Sequence, residues 1–139
     1  MNLSKFTDYG FRILIHLGNN PDKHFTVDEL SSVLNLSSHH VKKIVYKLVK
    51  CGYISSSKGR NGGIKLGIDP SRINLGDLLE VTEDNLNIVE CFSLENNSCN
   101  ISNSCKLKPI INNALVSFKS VFNKYTLEDI LDKKVSRMS

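Results

Sequence analysis

The sequence predicts a mostly α-helical fold: a winged helix-turn-helix head with a short β-hairpin, a cysteine loop, and a long C-terminal helix. Three observations predict it. Two short, well-capped helices follow each other almost without a linker, a glycine-rich turn separates two strand-like runs, and apolar residues recur at helical spacing near the C terminus. The length of 139 residues fits one domain, or one domain with an extension.

Signals at the helix ends predict the first two helices. The first runs from an N-terminal cap at Ser4 to about Leu17. The second opens with a capping box, in which the side chains of Thr26 and Glu29 each accept a hydrogen bond from the other residue's backbone N–H. This second helix is predicted to end near Asn35.

A third helix is predicted to begin at the cap Ser37, almost directly after the second helix ends. Its apolar residues form one stripe: Val41, Ile44, Val45, Leu48 and Val49. Serine, histidine and lysine occupy its other faces, and Gly52 is suited to end it. Two short helices joined by a tight turn, the second with a basic outer face, form a helix-turn-helix.

Two short strands, Tyr53–Ser57 and Ile64–Leu66, are predicted on either side of the glycine-rich turn at 59–63. A hairpin directly behind a helix-turn-helix is a wing. A glycine-rich loop that cradles nucleotide phosphates joins a strand to a helix instead. Because strands flank this loop on both sides, a wing is favoured over a nucleotide site.

The charge of the head is asymmetric within a net charge of +4 for the chain. No acidic residue occurs from Leu30 to Ile68, a stretch that contains seven basic residues. These are Lys42, Lys43, Lys47, Lys50, Lys58, Arg60 and Lys65. A polyanion-binding surface requires such an acid-free basic stretch, although an ordinary solvated basic face has the same composition.

Residues that contact DNA are predicted from the docking geometry of the motif, in which the N-terminal turn of the second helix enters the major groove. In the third helix these are Ser38, His39, Lys42 and Lys43, with His40 at the flank. On the wing, Arg60 suits the adjacent narrow minor groove, Asn61 lies beside it, and Lys58 is expected to meet phosphate.

The C-terminal half is predicted to contain a short helix at 74–82, capped by Asn74, then a loop from about Glu83 to Cys105. A long helical seam follows: Leu107, Ile111, Ala114, Phe118, Val121 and Tyr125, reinforced by Ile110, Leu115 and Phe122. The seam could pack against the head or against a second copy, and the dimer is favoured. Thr126 is predicted to cap a last short helix that runs to Lys134.

This organisation predicts three parts. They are a DNA-binding domain at 1–82, a cysteine loop at 83–105, and a dimerisation segment at 106–139.

Four cysteines occur in the chain. Cys51 ends the apolar stripe of the third helix and is predicted to be a buried structural thiol. Cys91, Cys99 and Cys105 have the spacing C-x7-C-x5-C, which lacks the short C-x2–4-C pairs usual at zinc sites. Three thiolates could hold three irons of a [4Fe–4S] cluster, with [2Fe–2S] as the alternative. Zinc, a thiol switch and unligated cysteines remain open at this point.

Several classes of protein are disfavoured. No apolar run approaches the roughly 20 residues of a membrane span, and the N terminus lacks the features of a signal peptide. A cytoplasmic protein is therefore expected, where clustered cysteines are more typically ligands or redox sensors than disulfides. No set of catalytic acid, base and nucleophile is recognisable, so an enzyme is not expected.

Motifs along nearly the whole chain resemble those of a known family. They are FTDYGFRILIHL, LSSHHVKKIVYKLVKCGYI, KGRNGGIKLG, INLGDLLEVTEDNLNIVECF, the three spaced cysteines and YTLEDIL. The chain resembles the winged-helix iron–sulfur repressors of the Rrf family, and within it the nitric-oxide-sensing repressors of the NsrR type. The joint occurrence of FTDYG, GRNGGI and C-x7-C-x5-C makes the resemblance specific.

This resemblance implies a homodimer that represses nitric-oxide-responsive genes while its cluster is intact. The dimer then leaves its palindromic operator when nitric oxide nitrosylates the cluster. Cys91, Cys99 and Cys105 match the cluster ligands of the family, and Asp8, reaching from the partner subunit, matches the fourth. Arg12 gives Asp8 a rival role in a helical i,i+4 ion pair. The alternative function is a thiol-based redox regulator that uses the three cysteines without a cluster.

Overall fold

The computed structural model describes residues 2–93, 95 and 97–132, and the fold within these residues is the predicted one. Its helices are α1 (Lys5–Asn19), α2 (Val27–Leu34), α3 (Ser38–Lys50), α4 (Leu75–Thr82) and α5 (Leu107–Asn123). The strands β1 (Ile54–Ser57) and β2 (Gly63–Leu66) pair antiparallel as the predicted wing, with Ile54 opposite Leu66. Short 3-10 turns cover Pro70–Arg72, Glu90–Phe92 and Leu127–Ile130.

The predicted caps begin the first four α-helices. The side chains of Ser4, Thr26, Ser37 and Asn74 each accept a hydrogen bond from the backbone N–H three residues further on, at 3.0 to 3.2 Å. At Thr26 the capping box is complete, because its own N–H donates to the Glu29 carboxylate at 3.1 Å. Each cap satisfies a backbone donor that has no partner inside its helix.

A glycine in the left-handed region ends α3. Gly52 has φ +84°, its N–H donates to the Val49 carbonyl, and the Tyr53 N–H donates to the Leu48 carbonyl, both at 3.0 Å. This pair of bonds is the Schellman arrangement, which satisfies the last carbonyls of a helix. The chain therefore leaves α3 abruptly and enters the wing at β1.

The prediction that Cys51 is buried is wrong. Cys51 is the C-cap of α3 and is exposed. The apolar stripe of α3 is buried from Val41 to Leu48. The helix ends before the stripe completes another turn, so the Cys51 side chain lies beyond the part of the helix that packs on the core.

The core of the head is built around α1, which contacts α2, α3, α4, β2 and the turn Leu127–Ile130. The fully buried side chains include Ile13, Leu14, Leu17, Leu30, Val41, Ile44, Leu48, Ile73, Leu78, Leu79 and Leu127. Most of them come from the apolar stripes of the helices, and α1 and α3 together supply six. The second helix of the motif, α3, is thus held in place by both α1 and α2.

Two isolated antiparallel bridges add contacts that local patterns do not reveal. Phe25 and Ile64 exchange hydrogen bonds of 2.9 and 2.8 Å, which attach the wing to the chain just before α2. Asn74 and Thr126 are also bridged, and the Leu127 N–H donates to the Ile73 carbonyl at 2.8 Å. The second bridge attaches the segment after α5 to the start of α4.

The C-terminal segment departs slightly from prediction. α5 ends at Asn123 rather than at Tyr125, whose carbonyl instead accepts the Leu75 N–H at 3.0 Å. The predicted last helix begins as a 3-10 turn capped by Thr126, and its part beyond residue 132 lies outside the described residues. Within the part of the chain that the structure describes, no helix is both long and apolar enough to span a bilayer.

A carboxylate caps α1 from a distant part of the chain. Glu83, directly after α4, accepts hydrogen bonds from the Ser4 N–H at 3.2 Å, from the Ser4 hydroxyl at 3.0 Å, and from the Thr7 hydroxyl. A negative charge at a helix N terminus is favourable because the first N–H groups of the helix point towards it. The first residue of the cysteine loop is thereby fixed to the start of α1.

We expect E83Q to lower the free energy of unfolding by about 1 kcal/mol, because an amide replaces a charged acceptor of several hydrogen bonds. The matched control is E80Q, which removes only a partly exposed ion pair with Lys119 and should cost less than about 0.5 kcal/mol. Urea denaturation at one fixed protein concentration measures both values. An E83Q chain as stable as the unaltered chain would contradict this role for Glu83.

Candidate metal centre and nucleic-acid interface

The predicted DNA-contacting residues of α3 form an exposed surface. Ser38, His39, His40, Lys42 and Lys43 are all exposed, while the opposite stripe of α3 is buried in the core. Ser37 caps α3, so the helix begins at Ser38 and these five residues lie in its first two turns. Serine, histidine and lysine side chains at such positions can reach base edges and phosphates.

His40 also contacts α1. Its ring centroid lies 5.8 Å from that of Tyr9 and 6.3 Å from that of His39. The guanidinium carbon of Arg12 lies 5.3 Å from the Tyr9 ring centroid. The start of α3 is therefore in contact with the solvent-facing side of α1, a contact that the sequence did not reveal.

The wing presents Lys58, Arg60 and Asn61 at its exposed tip. The tip is tight: Gly59 has φ +101°, and its carbonyl accepts the Gly62 N–H at 3.0 Å. A β-carbon at Gly62 would lie 2.4 Å from the Ser57 carbonyl oxygen, so a larger residue cannot occupy this position without a shift of the backbone. The glycines thus allow a short turn that carries Arg60 at its end.

The basic side chains of this surface are uncompensated. None of the seven Lys and Arg residues between 30 and 68 pairs with a carboxylate among the described residues. Their charge is therefore available to an external polyanion, as binding to the phosphate backbone requires.

The three loop cysteines are free and half-buried. Cys91 lies in the 3-10 turn Glu90–Phe92 and lines an open groove of about 630 Å³ that Lys108 also lines. The N–H of Cys99 donates to the Asn97 side chain at 3.0 Å, and Cys105 lies two residues before the start of α5. All three lie on one largely irregular segment between α4 and α5.

The structure does not bring the predicted ligands together. Among the described residues, no three His, Cys, Asp or Glu side chains are grouped so that they could hold a metal ion. The chemistry of the donors nevertheless fits an iron–sulfur cluster, because three free thiols supply the soft ligands that iron–sulfur clusters require. The three thiols therefore fit an iron–sulfur cluster as its ligands.

Asp8 lies on α1 in the predicted ion pair with Arg12. The pair is bidentate, with Nε to Oδ1 at 3.1 Å and Nη2 to Oδ2 at 2.9 Å, and both side chains are 47% exposed. Asp8 also borders an open apolar cavity lined by Phe11, Ile15 and Phe122. Its carboxylate is therefore accessible from outside the chain.

The apolar seam of α5 is only partly covered. Phe122 packs against Phe11 of α1, with ring centroids 6.1 Å apart, and against Phe118 at 5.1 Å. The opposite edge is exposed, and no residue of α5 is buried. Three large apolar side chains on this side of α5 are 51% to 63% exposed: Leu107, Ile110 and Val121. Exposed apolar side chains grouped on one side of a helix are typical of a protein–protein interface.

Comparison with known proteins shows which family of proteins the chain is similar to. The model of the Rrf2 family, described as "Iron-dependent Transcriptional regulator", matches residues 3–133. The HTH-type transcriptional regulator NsrR of Bacillus subtilis (strain 168) is 41% identical over 135 residues, covering 96% of this chain and 92% of the relative. The NsrR of Halalkalibacterium halodurans is 42% identical over 132 residues, covering 94% of this chain and 90% of the relative.

A solved structure supports the same fold. CymR, the global cysteine regulator of B. subtilis, superposes with a TM-score of 0.73 at 27% identity. The similarity covers 94% of this chain and 95% of CymR. The winged helix-turn-helix and the long helix behind it therefore follow an architecture already found in this class of regulator.

We expect D8N to change the free energy of unfolding of the metal-free chain by less than about 0.5 kcal/mol, because an exposed i,i+4 ion pair contributes little. Thermal or urea denaturation of metal-free protein measures the effect, with R12Q as the matched variant of the other partner. A loss of more than about 1 kcal/mol would mean that Asp8 has a structural role beyond what an exposed pair can have.

Proposed function

The chain belongs to the Rrf2 family and is a transcriptional regulator, and we propose that it is a cytoplasmic homodimeric repressor that senses nitric oxide through an iron–sulfur cluster. The observation that carries the proposal is a combination found in one chain about 40% identical to NsrR proteins. Its α3 and wing carry basic side chains without carboxylate partners among the described residues, and three free thiols lie beside an exposed apolar helix. We propose no enzymatic activity.

Operator binding is proposed for α3 and the wing. The exposed N-terminal turn of α3, from Ser38 to Lys43, would read the major groove, and Arg60 with Asn61 would enter the adjacent minor groove. Lys58 would pair with phosphate. The absence of acidic residues from 30 to 68 supports this orientation, because no carboxylate repels the DNA there.

Dimerisation is proposed through the exposed edge of α5. Burial of Leu107, Ile110 and Val121 against a second copy would remove a large apolar surface from water, which favours association. A two-fold dimer carries two heads, and two heads read a palindromic operator as two half-sites. The dimer is therefore the form in which we expect the protein to repress transcription.

Cluster binding is proposed for Cys91, Cys99 and Cys105, with Asp8 of the partner subunit as the fourth ligand. When bound, the cluster supplies iron that reacts with nitric oxide. The chain supplies three free thiols on one irregular segment, which can rearrange locally without disturbing the helices. Asp8 can exchange Arg12 for another partner at low cost, because the pair is half-exposed to water.

A link from the ligand set to the DNA surface is proposed through α1. Asp8 pairs with Arg12, Arg12 contacts the Tyr9 ring, and Tyr9 contacts His40 at the start of α3. A change in the partner of Asp8 would therefore be linked by three successive contacts to His40, which is proposed to face the operator. Such a change biases the conformation of the His40 side chain at the start of α3 and so the affinity for DNA.

The alternative is a thiol-based redox regulator with the same head. The observation that favours it is that Cys91, Cys99 and Cys105 are free, half-buried thiols. Such a protein would form a disulfide among these cysteines, respond to peroxide, and contain no iron when purified. Iron and sulfide content separates the two functions.

We expect anaerobically purified protein to contain iron and acid-labile sulfide, with about four irons per chain for a [4Fe–4S] cluster. C99A should lose this iron while the head stays folded, because Cys99 lies outside the core. The matched control is C51A, which removes an exposed thiol remote in sequence from the loop and should keep the cluster. One zinc per chain without sulfide would refute the cluster, and equal iron loss in both variants would refute the assignment of Cys99.

We expect R60A to weaken operator binding roughly tenfold, because a charged side chain inserted into the minor groove is lost. The matched control is R72A, an exposed arginine beyond the wing, which should bind like the unaltered protein. Fluorescence anisotropy at several salt concentrations measures both, and affinity should fall steeply with salt. Equal affinity of R60A and the unaltered protein would exclude the wing from operator binding.

A further inference from the structure

An aromatic side chain outside the predicted contact set lies on the same exposed face of α3. Tyr46 is 63% exposed although it is a large, partly apolar residue. It follows His39 and Lys43 and precedes Lys50 at spacings of four, three and four, so these four residues form one row opposite the buried stripe. The row could have been found from the sequence by extending the contact set beyond the first turn of the helix.

Lys50 is held against Tyr46. The Lys50 Nζ lies 4.6 Å from the centroid of the Tyr46 ring, a cation–π contact. The interaction with the Tyr46 side chain also raises the pKa of Lys50. The phenol hydroxyl and the ammonium thus form a pair of adjacent donors on the outer face of α3.

The position of this pair along α3 indicates which part of DNA it meets. Tyr46 lies seven residues after His39, which is about 10 Å along the helix axis. The major groove is about 12 Å wide, so a helix whose first turn faces the base edges places a residue at that distance near the rim of the groove. The rim is formed by backbone phosphates, which accept hydrogen bonds and carry the charge that an ammonium pairs with.

We propose that Tyr46 and Lys50 form a phosphate clamp, in which the Tyr46 hydroxyl donates to a backbone phosphate of the operator and the Lys50 ammonium pairs with the same phosphate. The clamp fixes how far α3 enters the major groove and does not read bases. It rests on the proposed function of α3 as the recognition helix, and it adds a contact at the end of α3 opposite the base-reading turn.

The test uses the full-length protein and two DNA probes, a duplex that the unaltered protein selects from a random-sequence pool and a scrambled duplex of equal composition. We expect Y46F to bind both duplexes roughly tenfold more weakly, because one hydrogen bond to a charged acceptor is lost. Its salt dependence should be unchanged, since no charge is removed. K50M should weaken binding and reduce the salt slope by about one phosphate contact.

The matched control is Y53F, which removes the same hydroxyl from a half-buried tyrosine that packs against the core just beyond α3, and which should bind normally. The double variant Y46F/K50M should lose less than the product of the two single losses, because both groups serve one phosphate. Since Tyr46 is exposed, Y46F should unfold at the same temperature as the unaltered protein.

Two results would overturn the clamp: unchanged binding by Y46F, or a loss confined to the selected duplex, which would indicate a base contact. The K43M variant shows whether only the clamp is wrong or whether the proposed role of α3 in DNA binding is wrong as well. If K43M weakens binding and Y46F does not, only the clamp is wrong. If neither variant changes affinity, α3 is not the recognition helix and both proposals are wrong.

Discussion

The burial of one face of α1 is the constraint on which the rest of the structure depends. Ile13, Leu14 and Leu17 are buried where α1 contacts α3, β2 and the turn that follows α5. Such interiors are close-packed, so α1 cannot shift relative to these elements without opening cavities. The helix α3, the base of the wing and the turn that follows α5 therefore share one rigid support.

The other side of α1 is built from contacts of a different kind. Arg12 pairs with Asp8 and contacts Tyr9, and Tyr9 contacts His40, all at the solvent-facing side of the helix. Exposed ion pairs and ring contacts are individually weak and can exchange partners at low cost, whereas a buried stripe cannot. One helix thus provides a fixed face for the fold and a second set of weaker contacts that reaches the start of α3.

The features of the fold that depend on a few neighbouring residues can be predicted well from the sequence. Capping at Thr26 and the paired strands of the wing need only residues close in the chain, and both are found. The contact of Glu83 with Ser4 joins residues 79 apart in sequence, and no local pattern reveals it. The prediction that Cys51 is buried is wrong because it extends the helical periodicity of α3 past the end of the helix. The ligands at 91–105 stay a prediction, because the proposed fourth ligand comes from a second chain.

The most direct test of the account follows operator affinity and the visible iron–sulfur absorbance together while nitric oxide is added to anaerobic, cluster-loaded dimer. Affinity for the selected duplex should fall in step with the absorbance. The far-ultraviolet circular dichroism of the helical head should stay unchanged, because the core around α1 does not depend on the cluster. Affinity that stays constant after the absorbance has been lost would contradict it.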